Sequence, residues 1–136
     1  FTNPDGLVRM DFPGGWDDDV KNAFTGAGLT DDEKAVQRLV KTLGNFRKNS
    51  SALKTGKMMQ YVPQDGLYVY FRYDAKQTIM CVMNASGNVK TIDFGKYADR
   101  TKGFGKAVSV TGDNVSFSTA DKPQLASYNM WVLELK

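Results

Sequence analysis

Two periodicities divide this chain. Across residues 30–48 the apolar positions recur at a helical spacing, and from residue 57 onward they alternate with a period of two. Val36, Leu39, Val40, Leu43 and Phe46 fall at i, i+3, i+4, i+7 and i+10, which makes one apolar stripe. Thr30 and Glu33 form a Thr-x-x-Glu capping box, with Asp31 and Asp32 in the first turn and Lys41, Arg47 and Lys48 towards the other end. The pattern predicts a helix from Thr30 to about Lys48. A shorter helix is expected over Asp17–Phe24, with Asp17, Asp18 and Asp19 at its positive end and Gly26 beyond its last turn. Ahead of it, Phe12-Pro13-Gly14-Gly15-Trp16 excludes regular structure, because proline and paired glycines break it.

The alternating part predicts strands at Lys57–Val62, Leu67–Tyr73, Thr78–Asn84, Val89–Phe94, Ala107–Thr111, Asn114–Thr119 and Tyr128–Leu135. In Leu67–Tyr73 one face carries Leu67, Val69, Phe71 and Tyr73, and the other Tyr68, Tyr70 and Arg72. Thr78–Asn84 is almost unbroken in its apolarity, as a central strand buried on both faces would be. Pro63-Gln64-Asp65-Gly66, Ala85-Ser86-Gly87-Asn88 and Gly112-Asp113-Asn114 are turns. Short strands at this spacing imply a mainly β fold, an antiparallel sandwich preceded by a loop and one or two helices. Leu67, Val69, Phe71, Ile79, Cys81, Val82, Phe117, Trp131 and Leu133 are its expected core.

At 136 residues the chain is one ordinary domain with at most a short extra piece, and too short for a (β/α)₈ barrel of typically about 250 residues. Hydrophobic residues make up 41% and charged residues 24%, which is a globular balance. The net charge of +3 comes from basic residues spread along the chain, so no nucleic-acid partner is expected. No run reaches the roughly 18 apolar residues of a membrane span. Histidine is absent, which removes His-based acid–base catalysis, His-containing triads and His metal ligands. Cys81, the single cysteine, stands between Met80 and Val82 and is expected to be a buried thiol. Gly103-Phe104-Gly105 lacks the strand–turn–helix setting of a phosphate loop. The chain opens on Phe1 with no initiating Met, as an excised fragment or mature form would.

Carboxylates are then the strong catalytic candidates. A retaining glycosidase needs two of them roughly 5–5.5 Å apart. Asp5, Asp11 and Asp17–Asp19 lie in loop-like sequence, although three acids ahead of a short helix are better read as a charge complement to its N-terminus. Asp5 and Arg9, four apart around Gly6, can grip sugar hydroxyls as acceptor and donor, or simply pair with each other. Trp16, flanked by Gly15 and Asp17, can stack on a sugar ring or pack locally. Tyr68 and Tyr70 are better read as sheet packing than as a sugar platform.

Taken together, Gly6-Leu7-Val8-Arg9-Met10-Asp11-Phe12-Pro13-Gly14-Gly15-Trp16, Asn22-Ala23-Phe24-Thr25 and Leu43-Gly44-Asn45-Phe46-Arg47-Lys48 resemble the α-amylase superfamily, glycoside hydrolase family 13. The likeness is to neopullulanases and cyclomaltodextrinases, and it continues through Gly56-Lys57, Tyr61-Val62-Pro63 and Tyr68-Val69-Tyr70-Phe71-Arg72. It implies that residues 1–56 are a remnant of the catalytic barrel, namely the loop after its eighth strand and its eighth helix. Residues 57–136 would be the C-terminal β-sandwich. It also implies a retaining α-glucan hydrolase as the parent, whose catalytic acids follow the fourth, fifth and seventh barrel strands, so that no catalytic residue is expected here. Asp5, Arg9 and Trp16 are the expected substrate-binding residues in the parent, and no metal site or cofactor is expected within this chain. Expected partners are an α-glucan in the whole enzyme, the upstream barrel, and a second copy meeting the stripe Val36, Leu39, Val40, Leu43 and Phe46. Two further readings remain, a carbohydrate-binding module and a purely structural domain. A periplasmic or cell-surface location is a guess from where long glucans are met.

Overall fold

The computed structural model describes Arg9 and residues 11–136. Its contacts divide the chain into two compact units that part between Arg38 and Leu39, inside the main helix. That helix, α1, spans Asp31–Asn49. Its start is the capping box: the Thr30 N–H donates to Glu33 Oε2 at 2.7 Å, and the Glu33 N–H donates to Thr30 Oγ1 at 3.2 Å.

The expected helix over Asp17–Phe24 does not form; these residues make turns. Their short polar side chains compete for the backbone. Asp19 accepts from the Gly14 N–H, and Asn22 Oδ1 accepts from the N–H groups of Phe24 and Thr25. Such local bonds offer the chain an alternative to helical pairing.

Past α1, Ser50 caps a short helix α2, Ser51–Thr55, by accepting from the Leu53 N–H. Eight strands follow: β1 Lys57–Gln60, β2 Leu67–Tyr73, β3 Thr78–Asn84, β4 Lys90–Thr91, β5 Lys106–Ser109, β6 Ser116–Ser118, β7 Gln124–Leu125 and β8 Asn129–Leu135. A 3₁₀ turn at Phe94–Tyr97 and a helical turn α3 at Ala98–Thr101 lie between β4 and β5. Six strands form one sheet in the order β1-β2-β3-β8-β5-β6, and β4 pairs with β7 as a second, small sheet. Every pairing is antiparallel. The fold is therefore mainly antiparallel β with few helices, as the sequence pattern predicts. The strand expected over Val89–Phe94 is cut to Lys90–Thr91, because the Asp93 carboxylate accepts from the Gly95 N–H and starts the 3₁₀ turn.

The large sheet buries both faces at its centre. On one, Val69, Phe71, Met80, Val82, Leu133 and Leu135 pack with Ile92, Phe94 and Leu125 from the second layer. On the other, Ile79, Cys81 and Val132 pack with Ala52 of α2 and with Leu43, Phe46 and Leu53. The period-two face assignment of β2 holds, with Val69 and Phe71 on the first face and Tyr70 on the second. Leu67, Phe117 and Trp131, expected to be largely buried, pack against this core as partly buried residues. For Trp131 the cause is register: β5 pairs with β8 as far as Ser109 opposite Leu133, with a last bond from the Val110 N–H to the Val132 carbonyl, so Trp131 stands beyond the end of that pairing. It rests on Phe117, ring centroids 4.6 Å apart.

The helical stripe also divides. Leu43 and Phe46 turn onto the chain's own sheet, contrary to their expected place in a contact with a second copy. Val36 and Val40 remain 62% and 64% exposed and Leu39 38%. Among the described residues no helix is long and apolar enough to cross a membrane.

Candidate functional site

The loop that carries Trp16 is held by its own side chains. Asp19 Oδ2 accepts from the N–H of Gly14 at 2.6 Å and of Trp16 at 3.2 Å, while the Asp19 N–H returns a bond to the Trp16 carbonyl. Pro13-Gly14-Gly15-Trp16 is thus wound around one carboxylate. Gly14 has φ +96°, which favours glycine, and a Cβ there would stand 2.7 Å from Asn22 Cγ and displace that side chain. The Ala23 N–H donates to the Pro13 carbonyl, and the Gln37 side chain donates to the Ala23 carbonyl, which fixes the loop to the first turns of α1. Lys21 bridges to Glu33 at 2.6 Å.

This scaffold presents Trp16 at 67% exposure. The rings of Phe12 and Phe24 lie 5.4 Å apart and are also exposed. A rigid loop with outward aromatic faces suits stacking on a flat apolar surface, a pyranose face among them. Arg9 is exposed. Asp5 lies outside the described residues, so the structure does not bring the proposed Asp5–Arg9 pair together or part it. Among the described residues, no group of three or more His, Cys, Asp or Glu side chains is placed to hold a metal ion.

The sheet tyrosines behave as packing. Tyr68 and Tyr70 face each other at 5.6 Å, the Tyr68 hydroxyl donates to Gln60 Oε1, and burial pushes the Tyr70 phenol up to about 12. Cys81 is a buried free thiol whose pKa is also raised by burial.

A second concave place was not singled out in the sequence. A cleft of about 510 Å³ opens on the sandwich, lined by Tyr61, Gln64, Asp65, Lys90, Lys96 and Tyr97 with Val62, Leu67, Val69 and Thr91. One wall is the β1–β2 turn. Gln64 and Leu67 exchange backbone hydrogen bonds of 3.0 and 2.8 Å, with Asp65 at φ +49° and Gly66 at φ +78°, the left-handed pair of a type I′ hairpin. The Asp-Gly dipeptide signals the turn in the sequence, but nothing there says that the segment Lys90–Tyr97 faces it.

Residues 58–134 match the family model for the cyclo-malto-dextrinase C-terminal domain. The chain belongs to that family. Solved structures share its fold. AmyP, crystallised with maltose, superposes with a TM-score of 0.68 at 16% identity, over 80% of this chain and 22% of its own. An α-amylase from Anoxybacillus gives 0.61 at 19% identity, over 90% and 26%. The trehalulose synthase MutB from Pseudomonas mesoacidophila gives 0.55 at 18% identity, over 74% and 18%. The chain spans between about a fifth and a quarter of the length of these proteins. Tyr68–Arg72, one of the stretches that carried the resemblance, lies inside the matched residues, and the resemblance pointed to this family.

Proposed function

We propose that the chain is the C-terminal portion of an α-glucan hydrolase of neopullulanase or cyclomaltodextrinase type. The observation that carries this is the family match over residues 58–134. The parent cuts α-1,4 links in maltooligosaccharides, cyclodextrins or pullulan by double displacement, with a nucleophile and an acid/base supplied from upstream. Residues 1–56 close the barrel and lend the loop after its last strand to the sugar cleft, and 57–136 form the stabilising sandwich. In that cleft Asp5 accepts from and Arg9 donates to sugar hydroxyls, and Trp16 stacks on a ring. The wound loop around Asp19 supports the Trp16 role, because it holds the Trp16 backbone in place before binding.

Two measurements test this. The 136-residue chain alone releases no reducing sugar from pullulan, starch or cyclodextrin, and release that is lost on mutating Asp5 or Asp11 would overturn the reading. Joined to its upstream coding region, the protein hydrolyses cyclodextrin, and Arg9→Ala lowers kcat/KM about tenfold, the worth of one charge-assisted hydrogen bond. An unchanged kcat/KM removes Arg9 from the site.

The same reading gives the exposed stripe its partner. Beside the upstream barrel, Val36, Leu39 and Val40 are covered; in the isolated chain they pair with a second copy.

A further inference from the structure

We propose that the cleft between the β1–β2 turn and the segment Lys90–Tyr97 binds an oligosaccharide, and that its ligand is a short α-glucan. The polysaccharide class rests on the functional reading above; the cleft itself stands on its own geometry. At about 510 Å³ it falls within the range of small-molecule sites. Its floor is Leu67, Val69 and the ring of Tyr61. Tyr61 is fixed from three sides, edge-on to Tyr97 at 5.0 Å and to Phe71 at 6.1 Å, with its hydroxyl donating to Asp99 Oδ2 at 3.3 Å. An aromatic floor locked by packing loses little freedom when a ligand settles on it.

The walls supply mixed polarity. Asp65 and the Gln64 carbonyl accept, while the Lys90 and Lys96 ammonium groups and the Gln64 amide donate. Neither lysine forms an ion pair among the described residues. The lining carries charges of both signs, two ammonium groups and one carboxylate, so a simple anion satisfies only part of it. An apolar ligand would leave the charges unpaired. A neutral polyol suits both, since each hydroxyl donates and accepts, and a pyranose adds an apolar C–H face for the tyrosine floor. Asp65 sits on left-handed backbone in a two-residue turn, so the hairpin sets the position of its backbone at the edge of the cleft.

The test is titration of the 136-residue chain with maltoheptaose, cellohexaose and inorganic phosphate, read by calorimetry and by amide NMR shifts. The expected result is maltoheptaose binding with shifts confined to residues 61–69 and 90–97, weakened about tenfold by Lys96→Ala and by Gln64→Ala, each removing one or two hydrogen bonds from an exposed position. Lys48→Ala, at an exposed position that does not line the cleft, leaves it unchanged. Binding that is lost in Trp16→Ala and kept in Lys96→Ala overturns the cleft and leaves the hydrolase reading intact, as does no maltoheptaose binding at all. Equal binding of cellohexaose overturns the α-glucan class, and phosphate shifts at Lys90 and Lys96 overturn the polyol assignment. Failure of the hydrolase reading is seen separately, as an upstream-joined protein inactive on cyclodextrin.

Discussion

Glu33 shows how much one side chain can organise. Its carboxylate accepts from Lys21 and from the Thr30 N–H, and these bonds hold its pKa down to about 2 from an ordinary 4.5. A depressed carboxylate stabilises the fold in its ionised form, so the contribution is complete above about pH 4.5 and is lost as pH falls towards 2. Acid titration followed by circular dichroism is expected to show α1 fraying from its N-terminus in that window, and Glu33→Gln to flatten the dependence. An identical acid profile in Glu33→Gln would show that the contacts carry no stability. Thr30→Ala removes the reciprocal half of the box at a cost of about 1 kcal/mol, measurable as a shift of the urea midpoint. Both halves of this cap are visible in the sequence, because capping needs only residues three apart. The failure of the neighbouring Asp17–Phe24 helix was not, since the same residue types that favour a helix start also bond to non-helical backbone.

Elements lock together through a few irreplaceable positions. Gly56 joins α2 to β1, where a Cβ would lie 2.4 Å from the Ala52 carbonyl oxygen and 2.6 Å from that of Tyr73. Both obstacles are backbone and cannot swing aside. Gly56→Ala is therefore expected to destabilise by more than the ~1 kcal/mol of a typical substitution, read from chemical denaturation, and a neutral result would mean that α2 is not seated on β2. Arg72 makes the same junction from the other side, donating to the carbonyls of Leu53 and Gly56 at 3.3 and 3.0 Å. At the opposite end of the sheet, Trp131→Ala is expected to cost about 3 kcal/mol, the low end for buried aromatics, because the indole is partly buried and leans on Phe117. A loss below about 1 kcal/mol would make the end of β8 a loose edge.

Strands β2 and β3 were legible to the residue, since a seven-residue alternation and an apolar run each leave a strong periodic signal. The two-residue strands β4 and β7 carry too few positions for any period, yet Ile92, Phe94 and Leu125 around them close the core. The insertion of the last strand between β3 and β5 is a long-range choice that no local pattern encodes. The candidate sites follow the same rule. Trp16 could be singled out from its own loop, whereas the cleft at Tyr61 and Tyr97 exists only because the topology folds Lys90–Lys96 against a hairpin some thirty residues earlier.

At the scale of the molecule, the stripe on α1 decides how the isolated chain behaves. A helix of this length is marginal in water without packing, and only its C-terminal half obtains that packing from the chain's own sheet, through Leu43 and Phe46. Val36, Leu39 and Val40 are left as a short apolar ridge, with Lys34, Arg38 and Lys41 interleaved along the sequence. A second copy brought up against the ridge by a two-fold axis would bury the apolar side chains against their own kind while the basic ones remain at the rim. The ridge has three large side chains rather than five, so the association it supports is weak and concentration-dependent. Light scattering is expected to show mass rising with concentration in the native chain. Leu39→Asp is expected to remain monomeric with unchanged thermal stability, because Leu39 makes no part of either packed core. A native chain that stays monomeric at every concentration would refuse the pairing. So would a Leu39→Asp chain that associates as the native one does, since the contact would then have to lie elsewhere on the surface.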